Sequence, residues 1–194
     1  LNDYIGIEIG MGIYFNGGFW KTINGNFDKF MLNVVVDTIG DGWVLLETPS
    51  AFDFELNSMT MIEFFEPYDI QISNLKVSAF GEISHVHPHE PLWITSNLRI
   101  DWLFNGKLEN ITTGSSYYSG LKVFRAYGVD INNIRVDNKE KVGIYGFLYG
   151  GLVNSTIRNS YFSSQSVGIT CGSRPAYGLV VDNIFATSRS KNGH

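Results

Sequence analysis

The sequence predicts an all-β chain wound as a right-handed parallel β-helix, with three short strands to each coil, and three observations predict it. A short Ile/Val-x-Asn-x-x-apolar motif recurs at about one coil's length. A second set of Gly-apolar strand openings keeps phase with the first. Aromatic residues make up 14% of the chain and Gly contributes 21 of its 194 residues while Ala is scarce, a balance that suits pleated strands and turns over helices.

The five copies of the motif are Ile72-Ser73-Asn74-Leu75-Lys76-Val77, Leu108-Glu109-Asn110-Ile111-Thr112-Thr113, Ile131-Asn132-Asn133-Ile134-Arg135-Val136, Ile157-Arg158-Asn159-Ser160-Tyr161-Phe162 and Val181-Asp182-Asn183-Ile184-Phe185-Ala186. Their first residues lie 36, 23, 26 and 24 positions apart, and the long first interval holds Ser84 to Pro91, read as an inserted loop. Gly120-Leu121, Gly143-Ile144 and Gly168-Ile169 open short apolar strands, with Pro91-Leu92-Trp93-Ile94 in the place of the preceding copy. The period is too short for helix-pair repeats, and the Leu-x-x-Leu-x-Leu-x-x-Asn pattern of leucine-rich repeats is missing. What remains is a stack of coils about 4.8 Å apart, paired as neighbouring parallel strands.

Asn recurs for a physical reason. A sharp bend between two strands needs a residue that tolerates the left-handed region, and Asn does so better than other non-Gly residues. Stacking then places Asn74, Asn110, Asn133, Asn159 and Asn183 in one column, where side-chain amides bond from coil to coil. Before this regular stretch, Ile5-Gly6-Ile7-Glu8-Ile9, Leu32 to Val36 and Trp43-Val44-Leu45-Leu46 read as strands, the last after the turn Gly40-Asp41-Gly42. No Asn copy fixes their phase. Residues 1–60 are therefore expected to be irregular early coils and residues 61–194 regular ones, in one continuous domain, since no Pro/Gly/Ser linker separates them.

Composition excludes several functions. The net charge is −5 and no Lys/Arg cluster longer than a pair occurs, so no nucleic-acid footprint is visible. No apolar run reaches the roughly 18 residues that membrane insertion requires. Cys171 is the only cysteine, which rules out an intrachain disulfide and a multi-Cys metal site, and it is expected to be a small buried hydrophobe. No cofactor is expected. The chain opens on Leu1 without a basic-then-apolar leader and ends at Lys191-Asn192-Gly193-His194, and it is read as a piece of something longer.

The strand-Asn-strand step with its Gly-Ile openings resembles the pectate-lyase-like superfamily of parallel β-helices, which includes pectinolytic enzymes and bacteriophage tailspikes. Phe65-Glu66-Pro67-Tyr68-Asp69-Ile70-Gln71-Ile72-Ser73-Asn74-Leu75 reads like a strand of that group, and the likeness runs over roughly residues 61 to 190. Polygalacturonases carry Asn-Thr-Asp and Asp-Asp before such glycines. Here Ser119, Val142 and Val167 stand there, and the Asp cluster with which pectate lyases hold calcium is missing. The resemblance is thus to tailspikes more than to plant cell-wall pectinases.

Alternation along a strand sends successive side chains to opposite faces. With Ile62, Leu92, Leu121, Ile144 and Ile169 inward, the outward column is Glu63, Trp93, Lys122, Tyr145 and Thr170, followed by Phe65, Thr95, Phe124, Phe147 and Gly172. Trp93, Phe124, Tyr145 and Phe147 would form an exposed aromatic wall. Such a wall suits the C–H faces of sugar rings, and it equally suits burial by a side loop or a neighbouring subunit. On the second strand, Glu109 and Asp130 fall in adjacent coils, where two carboxylates can share acid and base work on a glycosidic bond. The competing reading is a solvated ladder, with Lys107 over Asp130 and Arg158 near Asp182. His85, His87 and His89 alternate as a metal-binding strand would, but Pro88 breaks the strand, so they are read as a surface loop with no metal.

The resemblance implies three functions. The first is a phage tailspike, outside the cell on the virion tail, that binds and depolymerises a bacterial capsule or O-antigen by hydrolysis or β-elimination. Glu109, Asp130, Asp182 and Glu63 are then the catalytic candidates, Arg125 and Arg158 the charge stabilisers, and Trp93, Phe124, Tyr145 and Phe147 the sugar platform. Tailspikes of this fold imply a homotrimer and contacts with other tail proteins. The second function is a non-catalytic glycan-binding or structural β-helix of a fibre. The third is a secreted pectinolytic-type lyase or hydrolase.

Overall fold

The computed structural model describes residues 7–22, 25–39, 43–49, 61–66, 69–78, 96–114, 116, 118–138, 144–172, 174 and 176–189. All regular structure among them is strand. From residue 69 onward the described residues form a right-handed parallel β-helix. Strands β5 (Asp69–Ser73) and β6 (Lys76–Val77) lie under β7 (Ser96–Thr113), which runs through a full coil. The next coil is β8 (Ser119–Tyr127) with β9 (Asp130–Asp137), then β10 (Tyr145–Val153) with β11 (Thr156–Ser164), then β12 (Val167–Cys171) with β13 (Val180–Ser188). Each element pairs in parallel with its counterpart one coil away: Leu98, Leu121, Phe147 and Ile169 share one rung column, and Leu108, Ile131, Ile157 and Val181 another.

Each coil turns at left-handed residues, and the turns stack. One column is Trp102, Arg125 and Gly151, a second is Asn105, Gly128, Asn154 and Gly178, and the third is Asn74, Asn110, Asn133, Asn159 and Asn183. The φ angles of the third column lie between 50° and 56°. Its amides form the expected ladder, with Asn110 Nδ2 donating to Asn74 Oδ1 at 3.2 Å, Asn133 to Asn110 at 2.7 Å and Asn183 to Asn159 at 2.8 Å. One rung is diverted. Asn159 donates to Asn132 Oδ1 at 3.0 Å, and Ser160 Oγ, standing where the neighbouring coils carry Ile, accepts from the Ile134 amide at 3.0 Å. The hydroxyl thus satisfies a backbone donor at a rung where the regular pairing lapses.

Inside, Leu108, Ile111, Leu121, Val123, Ile131, Phe147, Leu152, Ile157 and Phe162 form a continuous buried column, each worth roughly 1.5–3 kcal/mol of burial. Phe147 is 0% exposed, which corrects its expected outward position. The cause is register. The glycine of that coil that pairs with Gly120 is Gly146, not Gly143, because Leu121 stands opposite Phe147. An offset of three residues is odd, so Phe147 turns into the core and Leu148 out toward the opposite face. Gly120, Gly146 and Gly168 are small because a Cβ at each would strike Val136, the Gly168 carbonyl and the Thr187 amide respectively.

The early strands are not coils. β1 (Gly12–Thr22), β2 (Gly25–Ile39), β3 (Trp43–Leu46) and β4 (Met61–Phe65) form an antiparallel sheet in the order β3-β2-β1-β4. The expectation of irregular coils over 1–60 gives way to this sheet, which also takes in 61–65. Leu32 to Val36 and Trp43 to Leu46 are strands as expected, while Ile7 to Ile9 is not. Long aromatic strands pairing with near neighbours close at little entropic cost, whereas a coil needs a longer return path. Tyr14, Phe30 and Leu32 of this sheet bury the outward residues Phe104, Tyr127 and Val153 of three successive coils. Asn33 fixes the end of β3, donating to the Thr48 carbonyl at 2.6 Å and accepting from its amide at 3.1 Å. Across the seam, the Tyr127 hydroxyl donates to Glu47 and accepts from Asn154 Nδ2 at 3.0 Å, and the Tyr177 hydroxyl donates to the Leu32 carbonyl at 3.3 Å.

Two predictions follow from these contacts. Asn133→Ala combines left-handed strain with a lost amide bond and lowers stability by about 2 kcal/mol, whereas Asn133→Gly keeps the bend and loses less, as urea unfolding will resolve. Burial pushes the Tyr177 phenol up to about 12 and the Tyr127 phenol well above its ordinary range. A raised folded pKa means that this stabilisation is complete below the unfolded value of about 10 and is lost as pH rises toward the folded ones. Alkaline titration of Tm should therefore fall steeply above pH of about 10, and less steeply in Tyr127→Phe.

Candidate functional site: a cationic aromatic groove

Outside the first strand of each coil, the described residues enclose a groove of about 490 Å3. Its floor follows from the rung columns. Lys122, Leu148 and Thr170 point outward from one column, and Asp101, Phe124, Gly150 and Gly172 occupy the next but one. A Cβ at Gly150 or Gly172 would come within 2.9 and 3.0 Å of the Phe124 ring. The two glycines let that ring lie flat across the coils above, where it is only 8% exposed.

Around this floor stand Arg99, Lys122, Arg125 and Arg174, with Asp101 the one carboxylate among the described lining residues. Arg99 places Nε and Nη2 each 2.6 Å from Asp101 Oδ2. Lys122 is 5% exposed, with Nζ 4.7 Å from the Phe124 ring centre. Burial holds its amine below the ordinary lysine value, and the charges of Arg99, Arg174 and Arg125 push the same way against Asp101. Arg125 is one of the left-handed residues at φ 54°, and its guanidinium lies 4.6 Å over the ring of Trp102, itself left-handed at φ 63°. Bulky residues in that conformation are strained by roughly 1–3 kcal/mol, and such strain gathers at functional sites. Tyr118 and Tyr145 meet edge to face at 5.1 Å on another side, and burial raises the Tyr118 pKa so that its phenol stays neutral. Cys171 lines the groove with its thiol donating to the Arg174 carbonyl at 3.3 Å; it is exposed, which corrects the expectation of a buried cysteine.

Of the residues predicted from sequence, Phe124, Tyr145 and Arg125 come together here. Phe147 does not, being in the core. Trp93 and the histidines 85, 87 and 89 lie outside the described residues. Glu63 is exposed on β4, opposite Tyr14 in the antiparallel sheet. Glu109 and Asp130 belong to the second-strand face beyond the bends at Asn105 and Gly128, and neither lines the groove. Both are occupied. Glu109 takes Lys107 Nζ at 2.9 Å and Asn132 Nδ2 at 3.1 Å, and these two bonds, Lys107 first, hold its carboxyl below the usual range. Asp130 takes Thr156 Oγ1 at 2.7 Å and Arg158 Nη2 at 2.6 Å. Lys107 does stand opposite Asp130 and Arg158 opposite Asp182, yet the ion pairs run within a strand and across to Asp130 instead. Sequence reasoning missed Arg99, Asp101, Tyr118, Leu148 and Arg174. Arg99 and Asp101 sit two rungs apart on the first strand and were legible once Leu98, rather than Leu92, is set opposite Leu121.

No family model matches the chain, and no curated protein matches it. Among solved structures it is similar to the Pseudomonas phage phi297 tailspike gp61, with a TM-score of 0.70 at 14% identity over 92% of this chain. The chain spans 30% of the length of that tailspike. The likeness is one of fold.

The two phenylalanines that sequence alone placed on one wall should now separate. Phe147→Ala should cost about 3–5 kcal/mol by leaving a core cavity, while Phe124→Ala, which removes a ring packed on the outside of the sheet, should cost less in the same denaturant titration.

Proposed function

We propose that this chain is the glycan-binding β-helix of a phage tailspike, which holds a bacterial capsular or O-antigen polysaccharide in the groove over Phe124. One observation carries the reading: on a β-helix of tailspike fold, an aromatic floor and two tyrosines lie beside charged donors in a single outward depression. Pyranose rings present apolar C–H faces to such rings and hydroxyls to such donors. By the same resemblance the protein works on the virion tail, as a homotrimer joined to other tail proteins.

Cleavage of the bound glycan belongs to the same proposal in a weaker form. Hydrolysis uses two carboxyl groups about 5 to 9 Å apart. Among the described residues lining the groove, Asp101 is the one carboxylate, and Arg99 holds one of its oxygens. Glu109 and Asp130 carry bound partners on another face, and the lowered pKa of Glu109 keeps it ionised near neutrality, which does not suit a general acid. The groove thus supports retention of a polysaccharide more directly than its scission.

The test is incubation with a panel of bacterial capsular and O-antigen polysaccharides, scoring binding, new reducing ends and the absorbance of unsaturated uronates. We expect at least one glycan to bind, and Phe124→Ala, which removes the ring that supports the groove floor and Lys122, to weaken that binding by about tenfold, or roughly 1.4 kcal/mol. Absence of binding across the panel, or full binding by the Phe124 variant, sinks the proposal.

A further inference from the structure

Three successive coils turn at one column of left-handed residues, Trp102, Arg125 and Gly151. Glycine suits such a turn. Gly151 adopts φ 68° at no steric cost, and a Cβ there would come within 2.7 Å of the Phe30 ring. Trp102 and Arg125 take the same conformation with bulky side chains that resist it. They share a rung, because Asp101 and Leu103 on either side of Trp102 stand opposite Phe124 and Ala126 on either side of Arg125. Core packing does not account for the tryptophan, since 40% of it stays exposed. Strain that burial offsets only in part points to a use outside the core.

The contacts of Trp102 show what that use is. The Tyr14 ring meets it in a T-shaped arrangement, with centroids 4.8 Å apart and planes at 86°. Tyr14 is itself fixed, being 2% exposed and packed with Phe30, Leu32, Phe104 and Tyr127 in the seam. Over the Trp102 ring lies the Arg125 guanidinium, 4.6 Å from its centre. Rung partners in adjacent coils stand about 4.8 Å apart, which is the spacing such stacking needs. Arg125 lines the groove, whereas Trp102 is not among the described residues that do. The tryptophan therefore links the arginine to the antiparallel sheet. An arginine loses rotamer freedom when it grips a ligand, and a guanidinium already laid on an aromatic face loses less. Stacking engages the flat face of the group and leaves its in-plane N–H donors for sugar hydroxyls.

From this arrangement we infer that Trp102 is a positioning residue for the groove: braced on Tyr14 of the antiparallel sheet, it holds the Arg125 guanidinium in the pose that donates to the bound glycan. The inference rests on the glycan-binding reading and adds to it a residue that does not touch the sugar. It also gives the sheet a part in binding, because the ring that the sheet braces sets where one wall of the groove presents its donors.

The experiment uses a capsular or O-antigen polysaccharide that the intact chain binds. Its affinity is measured for Trp102→Gly, Trp102→Phe, Arg125→Gln and the combination of Trp102→Gly with Arg125→Gln, with thermal unfolding to confirm that each variant folds. Glycine relieves the bend, as Gly151 does in the same column, so the ring is removed without added backbone strain. We expect Arg125→Gln to weaken binding by about tenfold and Trp102→Gly by roughly fivefold, Trp102→Phe to stay within about twofold of the intact chain, and Trp102→Gly to add no further loss once Arg125 is replaced. Losses that multiply in the combined variant place the effect of the ring elsewhere than on the arginine and overturn the inference, as does full affinity in Trp102→Gly. Either result leaves the glycan-binding reading in place where Phe124→Ala still weakens binding. Failure to bind any glycan removes both. If the glycine variant does not fold, Trp102→Asn, a residue that the chain already uses at left-handed bends, carries the same test.

Discussion

Every coil of this protein depends on bending at the same rungs as the coil beneath it. Parallel strands pair only if successive turns are in phase, and a sharp turn needs a left-handed residue. The three columns of such residues are therefore the frame on which the rest is hung. Where the column is Asn, the bend and a coil-to-coil amide bond come from the same side chain. Where it is Trp102 and Arg125, the bend is made by residues that resist it, and Arg125 so presented lines the groove with the Trp102 ring against it.

The Asn column was legible because both its spacing and its chemistry survive in the sequence. Spacing alone was less reliable. Gly143 and Gly146 stand three residues apart, both small and both followed within one residue by an apolar side chain, and the wrong one gave a plausible period. What decides between them is the room needed beneath the returning strand, which no one-dimensional pattern records. The same parity error hid Leu148 from the groove and sent Phe147 into it. Lys122 and Thr170, in coils whose glycines were chosen correctly, were placed on the right face. The antiparallel sheet was visible as strands but not as a sheet, since partners such as Tyr14 and Leu32 are matched by geometry rather than by any repeat.

Charge is distributed by face. On the second-strand face, acids and bases alternate and satisfy one another, with Lys107 and Asn132 on Glu109, and Thr156 and Arg158 on Asp130. On the first-strand face, Arg99, Lys122, Arg125 and Arg174 gather, with Asp101 the one acid among the described residues of the groove. A polar pattern that reads as catalytic in sequence is thus self-contained in space. Exposed ion pairs of the first kind contribute little to stability.

The antiparallel sheet alters how such a solenoid holds together. In a stack of coils each unit touches only the ones above and below, so stability propagates by nearest neighbours and fraying is a local event. Phe104, Tyr127 and Val153 belong to three different coils, yet one apolar surface made by Tyr14, Phe30 and Leu32 covers them all. Opening the middle coil then exposes a seam shared with both others. The sheet works as a splint laid along the column, giving a one-dimensional object a second direction in which it must be broken. The groove lies on coils bound in this way, so its walls keep their spacing under a strain applied along the axis of the column.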